Sequence, residues 1–327
     1  MFQVFVSTYP FGKEDPTPKK MLDQVDSISV TYNPHPRKLT REEIAELARD
    51  AQVVIAGTED LSLLIENSAH LRLISRVGIG LDSVNLSLCK KKGIRVCYTP
   101  DAVTMAVAEL TIGLMVSLTR RVGQADRGIR EKKWNRYYGK RIGESVIGLI
   151  GFGRVGKNVA RLLAPFKPQI LVHDIKNINP EIEFLRKQGL NIELNHKEEI
   201  YKKADIISLH LPAYSLTRDM ISKESLKLFK KDSFLINTAR GELVNESDLY
   251  LALQSGEIGG AALDVFKKEP YSDSLSELEN VILTQHMGSC SFDCRLAMET
   301  EATEDAIRFL QGESLLREVP ESEYLYQ

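Results

Sequence analysis

The sequence predicts an α/β protein made of two doubly wound parallel-sheet domains, and three observations predict it. Short apolar segments rich in β-branched residues alternate with helical stretches along most of the chain, the pattern of parallel strands joined by helical crossovers. The 327 residues exceed one average core and fit about two. In the middle of the chain an apolar run passes directly into closely spaced glycines, then into residues that are apolar at helical spacing.

Taken in order, Phe2–Ser7, Ser27–Thr31, Gln52–Ala56, Leu71–Arg76 and Ile94–Cys97 read as strands, with helices over Arg41–Arg49, Leu61–Ala69 and Asn85–Lys92. Tyr9–Lys20, with three prolines and several charges, reads as an irregular surface loop. At Arg76-Val-Gly-Ile-Gly-Leu-Asp82 a strand runs into two glycines. Their backbone N–H groups could form a nest for an anion such as a carboxylate, or the stretch could be no more than a tight turn into a helix. Thr99-Pro100 closes this region. Val103–Thr119 is apolar nearly all round, which predicts a buried helix with Met105, Leu114 and Met115 in its core contacts. Arg127–Arg141, with Trp134, Tyr137 and Tyr138, is basic and aromatic; it reads as a solvated linker, a subunit contact or an arm reaching a substrate anion.

The chain is organised around Val146-Ile-Gly-Leu-Ile-Gly-Phe-Gly-Arg-Val-Gly156, which reads as strand, tight turn and helix, the helix continuing to Phe166. Gly151 permits the turn, Gly153 lets a pyrophosphate approach bare backbone at a helix N-terminus, and Gly156 lets helix and strand pack closely. The next strand, Ile170–Asp174, ends in an acid eighteen positions after Gly156. Such an acid can accept hydrogen bonds from an adenosine ribose and repel a 2′-phosphate, which favours NAD over NADP. The same elements would also suit a domain that binds no dinucleotide.

Asp205–Leu211, Ser233–Asn237, Gly260–Val265 and Val281–Thr284 read as the remaining strands, six in all from Val146, with helices around Lys223–Phe229 and Glu246–Gln254. Cys294–Leu310 reads as an amphipathic helix that returns to the first region, and the charged tail beyond it is expected to fray. In an open parallel sheet, ligands bind where strands end. Three polar groups fall there: Arg240, in Asn237-Thr-Ala-Arg-Gly241; Glu269, on the loop that begins at Asp264; and His286, in Thr284-Gln-His286. Hydride transfer to a 2-oxo acid needs a carboxylate anchor, a group that polarises the carbonyl, and a proton donor. Arg240 can serve the first two and His286 the third, with Glu269 orienting the imidazole.

Gly148-Leu-Ile-Gly-Phe-Gly-Arg-Val-Gly156, Ile236-Asn-Thr-Ala-Arg-Gly241, Ala262-Leu-Asp-Val-Phe-x-x-Glu-Pro270 and Thr284-x-His-x-Gly288, in this order, resemble the D-isomer-specific 2-hydroxyacid dehydrogenases. Gly57-Thr-Glu59, Arg76-x-Gly-x-Gly-Leu-Asp82, Thr99-Pro100 and Val107-Ala-Glu109 bring the likeness closest to the phosphoglycerate-dehydrogenase-like branch. The resemblance implies an NAD-dependent oxidoreductase in which Arg240, Glu269 and His286 are catalytic. It implies that Arg154, Val155 and Asp174 bind pyrophosphate and ribose beside Gly151, Gly153 and Gly156. Leu211, Pro212, Thr238 and Asp264 would line the nicotinamide side, Asp264 meeting the carboxamide, and Gly78 and Ile79 would offer amides to the substrate carboxylate. It further implies a Rossmann NAD-binding domain over 100–288, inserted in a flavodoxin-like substrate domain of 1–99 plus 289–327, a substrate held in the cleft between them, and a homodimer built on the cofactor domains.

The chain departs from that pattern in three places. Phosphoglycerate dehydrogenases of the branch usually carry an arginine shortly before the position of Thr58, to meet the substrate phosphate; here Val53-Val-Ile-Ala-Gly57 is apolar, although Arg136 could reach a phosphate from a neighbouring subunit. Gln285 stands in place of the usual proline, and no regulatory domain is expected after residue 327. Composition narrows the partners. With 43 Lys plus Arg against 45 Asp plus Glu, the net charge of −2 speaks against a nucleic acid. The absence of a signal peptide or apolar span leads to a cytoplasmic expectation without a membrane partner. Cys89, Cys97, Cys290 and Cys294 are expected as reduced thiols. His286, Cys290 and Cys294 are spaced for one helix face, but Gly288 and Ser289 break it and no fourth ligand is near, so no metal is expected. The rival class is an NAD(H)-sensing binding protein like the C-terminal binding protein corepressors.

Overall fold

The computed structural model describes residues Met1–Tyr326. The chain divides into two compact units: Met1–Val103 with Cys290–Gln327, and Thr104–Ser289.

In the first unit β1 (Phe2–Val6), α1 (Thr17–Asp23), β2 (Ile28–Tyr32), α2 (Arg41–Leu47), β3 (Val53–Ala56), α3 (Ser62–Asn67), β4 (Leu73–Arg76), α4 (Leu86–Lys92) and β5 (Arg95–Cys97) follow one another. The five strands are all parallel, in the order β2-β1-β3-β4-β5. This is the flavodoxin-like doubly wound order. Strands β3 and β4 are buried along their whole length, as strands covered on both faces must be. Thr40 and Glu43 close a capping box at the start of α2, so the first N–H groups of this short helix are satisfied locally. One helix was not expected: α1 begins at Thr17, inside the stretch read as a loop. Pro18 lies in its first turn, where the missing N–H costs nothing.

The second unit begins with α5 (Thr104–Thr119) and α6 (Val122–Arg130). It continues through β6 (Val146–Ile150), α7 (Arg154–Leu163), β7 (Gln169–His173), α8 (Asn179–Lys187), β8 (Ile192–Leu194), α9 (Lys197–Lys203), β9 (Ile206–Leu209), α10 (Lys223–Leu226), β10 (Phe234–Asn237), α11 (Glu246–Gln254), β11 (Gly260–Leu263) and β12 (Val281–Leu283). Its seven parallel strands run β12-β11-β10-β9-β6-β7-β8, and the winding reverses between β6 and β9. Six strands were expected. The seventh, β8, is a three-residue edge strand with Glu193 and Leu194 exposed, too short and too polar to leave a periodic signal. Helix α5 buries Ala108, Thr111, Leu114, Met115 and Leu118 against α7 and the sheet. Met105 departs from expectation and is half-exposed, because apolarity on every side does not reveal which turns are covered.

The last helix, α12 (Phe292–Leu310), completes the first unit by packing on α1, β3 and β4. The tail beyond it, expected to fray, is held in place as far as Val319. Tyr98 N donates to Arg317 O at 3.1 Å and Val319 N to Val96 O at 2.9 Å, so the tail covers the outer edge of β5. Arg317 meets the buried carboxylate of Asp305 at 3.0 Å and Glu304 at 2.8 Å, while Arg95 and Glu318 pair through two bonds of 2.7 Å. The charges that suggested solvation are the groups that hold the tail. Among the described residues no helix is long and apolar enough to cross a membrane.

Candidate active site

In the second unit β6 delivers the chain to the switch point of the sheet. Gly151 has φ +95°, and a Cβ there would stand 2.3 Å from the carbonyl oxygen of His210, at the end of the neighbouring β9. Only glycine suits that backbone. Gly153 caps α7, and nothing lies within 4 Å of where its side chain would be, so bare backbone faces open space at the helix N-terminus. Arg154 and Val155 open the helix, and the buried Gly156 sits against the Gly151 carbonyl. Asp174, just past β7, is fixed by two amides: Phe152 N donates to Oδ2 at 2.7 Å and Lys176 N to Oδ1 at 2.8 Å. Each oxygen keeps a lone pair for a sugar hydroxyl. An open glycine cradle at a helix N-terminus beside a fixed carboxylate fits the pyrophosphate and ribose of a dinucleotide.

The backbone of His210 and Leu211, just past β9, borders the Gly151 turn. His210 touches Ser208 Oγ through Nε2 at 2.9 Å, and burial pushes its imidazole down to about 3, so the ring is neutral. Leu211 is half-buried, and Pro212 is exposed with its carbonyl receiving the Thr217 hydroxyl. Thr238 Oγ1 lies 2.9 Å from Thr111 Oγ1 of α5. After β10, Asn237 folds the loop onto itself: its side chain accepts from Ala239 N at 3.1 Å and donates to Arg240 O at 2.7 Å. Arg240 is half-buried there, with Nη1 donating to Ala239 O at 2.7 Å.

Asp264, at the end of β11, is buried to 1% and works as a clamp. Oδ1 accepts from Thr284 Oγ1 at 2.5 Å and Met287 N at 2.9 Å, Oδ2 from Gly288 N at 2.8 Å, and its carbonyl receives His286 N at 2.8 Å. The clamp holds the loop after β12 with His286 at φ +50°, a left-handed conformation unfavourable to a non-glycine residue. In that position His286 Nδ1 lies 2.8 Å from Glu269 Oε2, and Glu269 Oε1 accepts from Phe266 N at 3.1 Å. A carboxylate on Nδ1 fixes the proton there and leaves Nε2 to exchange one with a ligand. Both side chains are more than a third exposed, so a ligand can reach them. Arg240, Glu269 and His286 therefore follow three adjacent strands and share the carboxyl edge of one sheet.

Gly78 and Ile79 belong to the first unit. Gly78 N donates to Thr99 Oγ1 at 2.8 Å, and Thr99 N to Gly78 O at 3.1 Å. The Gly78 amide expected for a ligand carboxylate is thus already committed, while that of Ile79 donates to no group among the described residues. No local signal marks Thr99 as the acceptor of this proton, because the pairing joins the ends of β4 and β5.

The model of the D-isomer-specific 2-hydroxyacid dehydrogenase NAD-binding domain matches residues 112–288. The chain is 36% identical over 300 residues to D-3-phosphoglycerate dehydrogenase of Methanocaldococcus jannaschii, covering 90% of this chain and 55% of that protein. It therefore spans about half the length of that relative. It is 36% identical over 284 residues to glyoxylate reductase of Thermofilum pendens, covering 84% of this chain and 83% of the relative. The structure of Aquifex aeolicus D-lactate dehydrogenase, complexed with NAD and lactic acid, superposes with a TM-score of 0.83 at 25% identity, over 95% of this chain and 96% of that one.

Proposed function

The chain belongs to the D-isomer-specific 2-hydroxyacid dehydrogenase family, whose members are NAD-binding oxidoreductases, and we propose the roles its residues play in the interconversion of a small D-2-hydroxy acid and its 2-oxo acid. The observation that carries the reading is the His286–Glu269 pair, held at the sheet edge that Arg240 also borders. When bound, NAD supplies or takes up the hydride. Gly151, Gly153, Arg154, Val155 and Gly156 hold its pyrophosphate and Asp174 its ribose. Leu211, Pro212 and Thr238 flank the nicotinamide, with Asp264 acting there mainly by fixing the loop that carries His286.

Arg240 grips the substrate carboxylate and polarises the adjacent carbonyl through its planar fork. Protonated His286 gives its Nε2 proton to the carbonyl oxygen as negative charge builds in reduction, and takes it back in oxidation. Glu269 keeps the Nδ1 proton in place and steadies the imidazolium. In the unit formed by both ends of the chain, the Ile79 amide is open to a carboxylate. The exposed Trp134 and Tyr138 support a homodimer through the cofactor unit, and free cysteines support a cytosolic setting.

The test follows NADH absorbance with glyoxylate, pyruvate, hydroxypyruvate and 3-phosphohydroxypyruvate. His286→Asn should lower kcat by roughly a hundredfold or more while NADH still binds. Turnover equal to that of the unaltered protein would remove His286 from the chemistry.

A further inference from the structure

We propose that Glu246 is a positioning residue for the His286–Glu269 pair: its carboxylate fixes the loop that carries Glu269, so that Glu269 stays within reach of the imidazole Nδ1. The proposal lies wholly within the second unit and rests on the hydride-transfer reading above for its consequence in turnover.

Each half of the pair needs its own anchor. His286 has one in the Asp264 clamp, but Glu269 sits on residues 266–269, which belong to no strand or helix and are exposed from Lys267 onward. Phe266 is buried and stacks on Tyr271 with ring centroids 4.2 Å apart, which holds the start of the loop. The bond from Phe266 N to Glu269 Oε1 only closes the loop on itself. Its exposed part is tied outward through Lys267 N, which donates to Glu246 Oε1 at 2.7 Å. Lys267 Nζ also meets Asp219, but both side chains are more than a third exposed, so that ion pair contributes little.

Glu246 can serve as an anchor because it is itself fixed. It is the first residue of α11; Asn245 before it donates its N–H to Ile221 O at 2.8 Å and accepts Asp248 N at 3.2 Å, while Leu249 and Leu253 bury the inner face of the helix. The same segment begins with Arg240 and Gly241. A Cβ at Gly241 would stand 2.0 Å from the Phe266 carbonyl carbon and 2.4 Å from Lys267 N, so the Glu269 loop lies on the bare backbone that follows Arg240. Glu246 locks it there and thereby sets the loops of Arg240 and Glu269 in register. An acid in the first turn of a helix also suits the helix dipole, and substitutions separate the two roles. Glu246→Gln keeps an oxygen at the same reach without the charge, Glu246→Asp keeps the charge one methylene short of Lys267 N, and Glu246→Ala keeps neither.

The test measures kcat with the four 2-oxo acids named above, NADH affinity, and the 15N spectrum of histidine-labelled protein in alkaline solution, with the His286 signals assigned by their loss in His286→Asn. Glu246→Ala and Glu246→Asp should lower kcat roughly tenfold, the lower end of what one bond to a charged acceptor is worth, and should move the neutral His286 ring from the Nδ1–H tautomer toward Nε2–H. Glu246→Gln should keep the tautomer and stay within about threefold of the unaltered kcat, because a neutral acceptor loses only part of the bond. All three should bind NADH unchanged. Glu246→Ala with unaltered turnover and tautomer overturns the proposal, as does a fall in kcat without a change of tautomer. An active Glu246→Asp beside an impaired Glu246→Gln assigns the residue to the helix dipole and overturns it too. Should Glu246→Ala not fold, the contrast between the other two still decides. An unaltered protein that turns over none of the four acids overturns the hydride-transfer reading, while the tautomer still shows whether Glu246 holds the pair.

Discussion

Replacing Asp264 by asparagine tests whether the loop bearing His286 is held by one side chain. The carboxylate accepts three donors, the Thr284 hydroxyl at 2.5 Å, Met287 N at 2.9 Å and Gly288 N at 2.8 Å, in a residue 1% exposed. An amide in the same place has one oxygen. Turned to keep Thr284 and Met287, it sets its NH2 against the Gly288 N–H, donor facing donor. The loss comprises one charge-assisted bond, roughly 1.5–3 kcal/mol, and a buried N–H without an acceptor, roughly 1–3 kcal/mol. The two overlap, so about 3 kcal/mol is expected for opening the segment after β12, on the order of a hundredfold in its opening equilibrium. Hydrogen exchange of Asp264→Asn should show the Met287 and Gly288 amides exchanging faster by that factor, while strands β6 and β9 keep their protection. Because the clamp also sustains the left-handed backbone at His286, turnover should fall with NADH binding retained. Exchange at those two amides within threefold of the unaltered protein would refute the clamp.

Two further outcomes follow from the buried titratable groups. Burial pushes the thiols of Cys294 up to about 11 and Cys89 up to about 12, and Cys97 higher still, while Cys290 is exposed. A disulfide reagent at pH 8 should therefore label one thiol in the native protein and four in denaturant; three labelled at once would contradict the packing. His210 is held down to about 3 by burial, below its unfolded value near 6.5. Between those values the unfolded chain binds a proton that the folded chain refuses, so this group lowers stability as pH falls from about 6.5 toward 3. The slope should reach at most about 1.4 kcal/mol per pH unit, and His210→Asn should flatten it in urea unfolding across that range.

The glycine loop and the acid after β7 were legible because each is local: the strand, turn, helix and next strand lie within one unbroken stretch of sequence. Membership of Arg240, Glu269 and His286 in one edge was also legible, since strand ends in a parallel sheet face one way whatever the strand order. What escaped reading depends on partners remote in sequence. Thr99 takes the Gly78 proton from another strand, and the Asp264 carboxylate receives three donors from the loop of the next strand. β8 was missed for its brevity. The tail was misjudged because charge composition cannot distinguish a solvated segment from one held by Asp305, Glu304 and Arg95.

The tail along β5 also imposes an order on the making of the molecule. The first sheet is complete once Cys97 has been added, but its outer edge waits for Arg317 and Val319, about two hundred residues later. At bacterial or eukaryotic elongation rates that is roughly ten to forty seconds. The middle unit, continuous from Thr104 to Ser289, is made within that interval and has every residue it needs about thirty residues before Val319 is added. A ribosome carrying this chain therefore holds an early five-stranded sheet with an open strand edge and α12 not yet made, the kind of surface that chaperones cover.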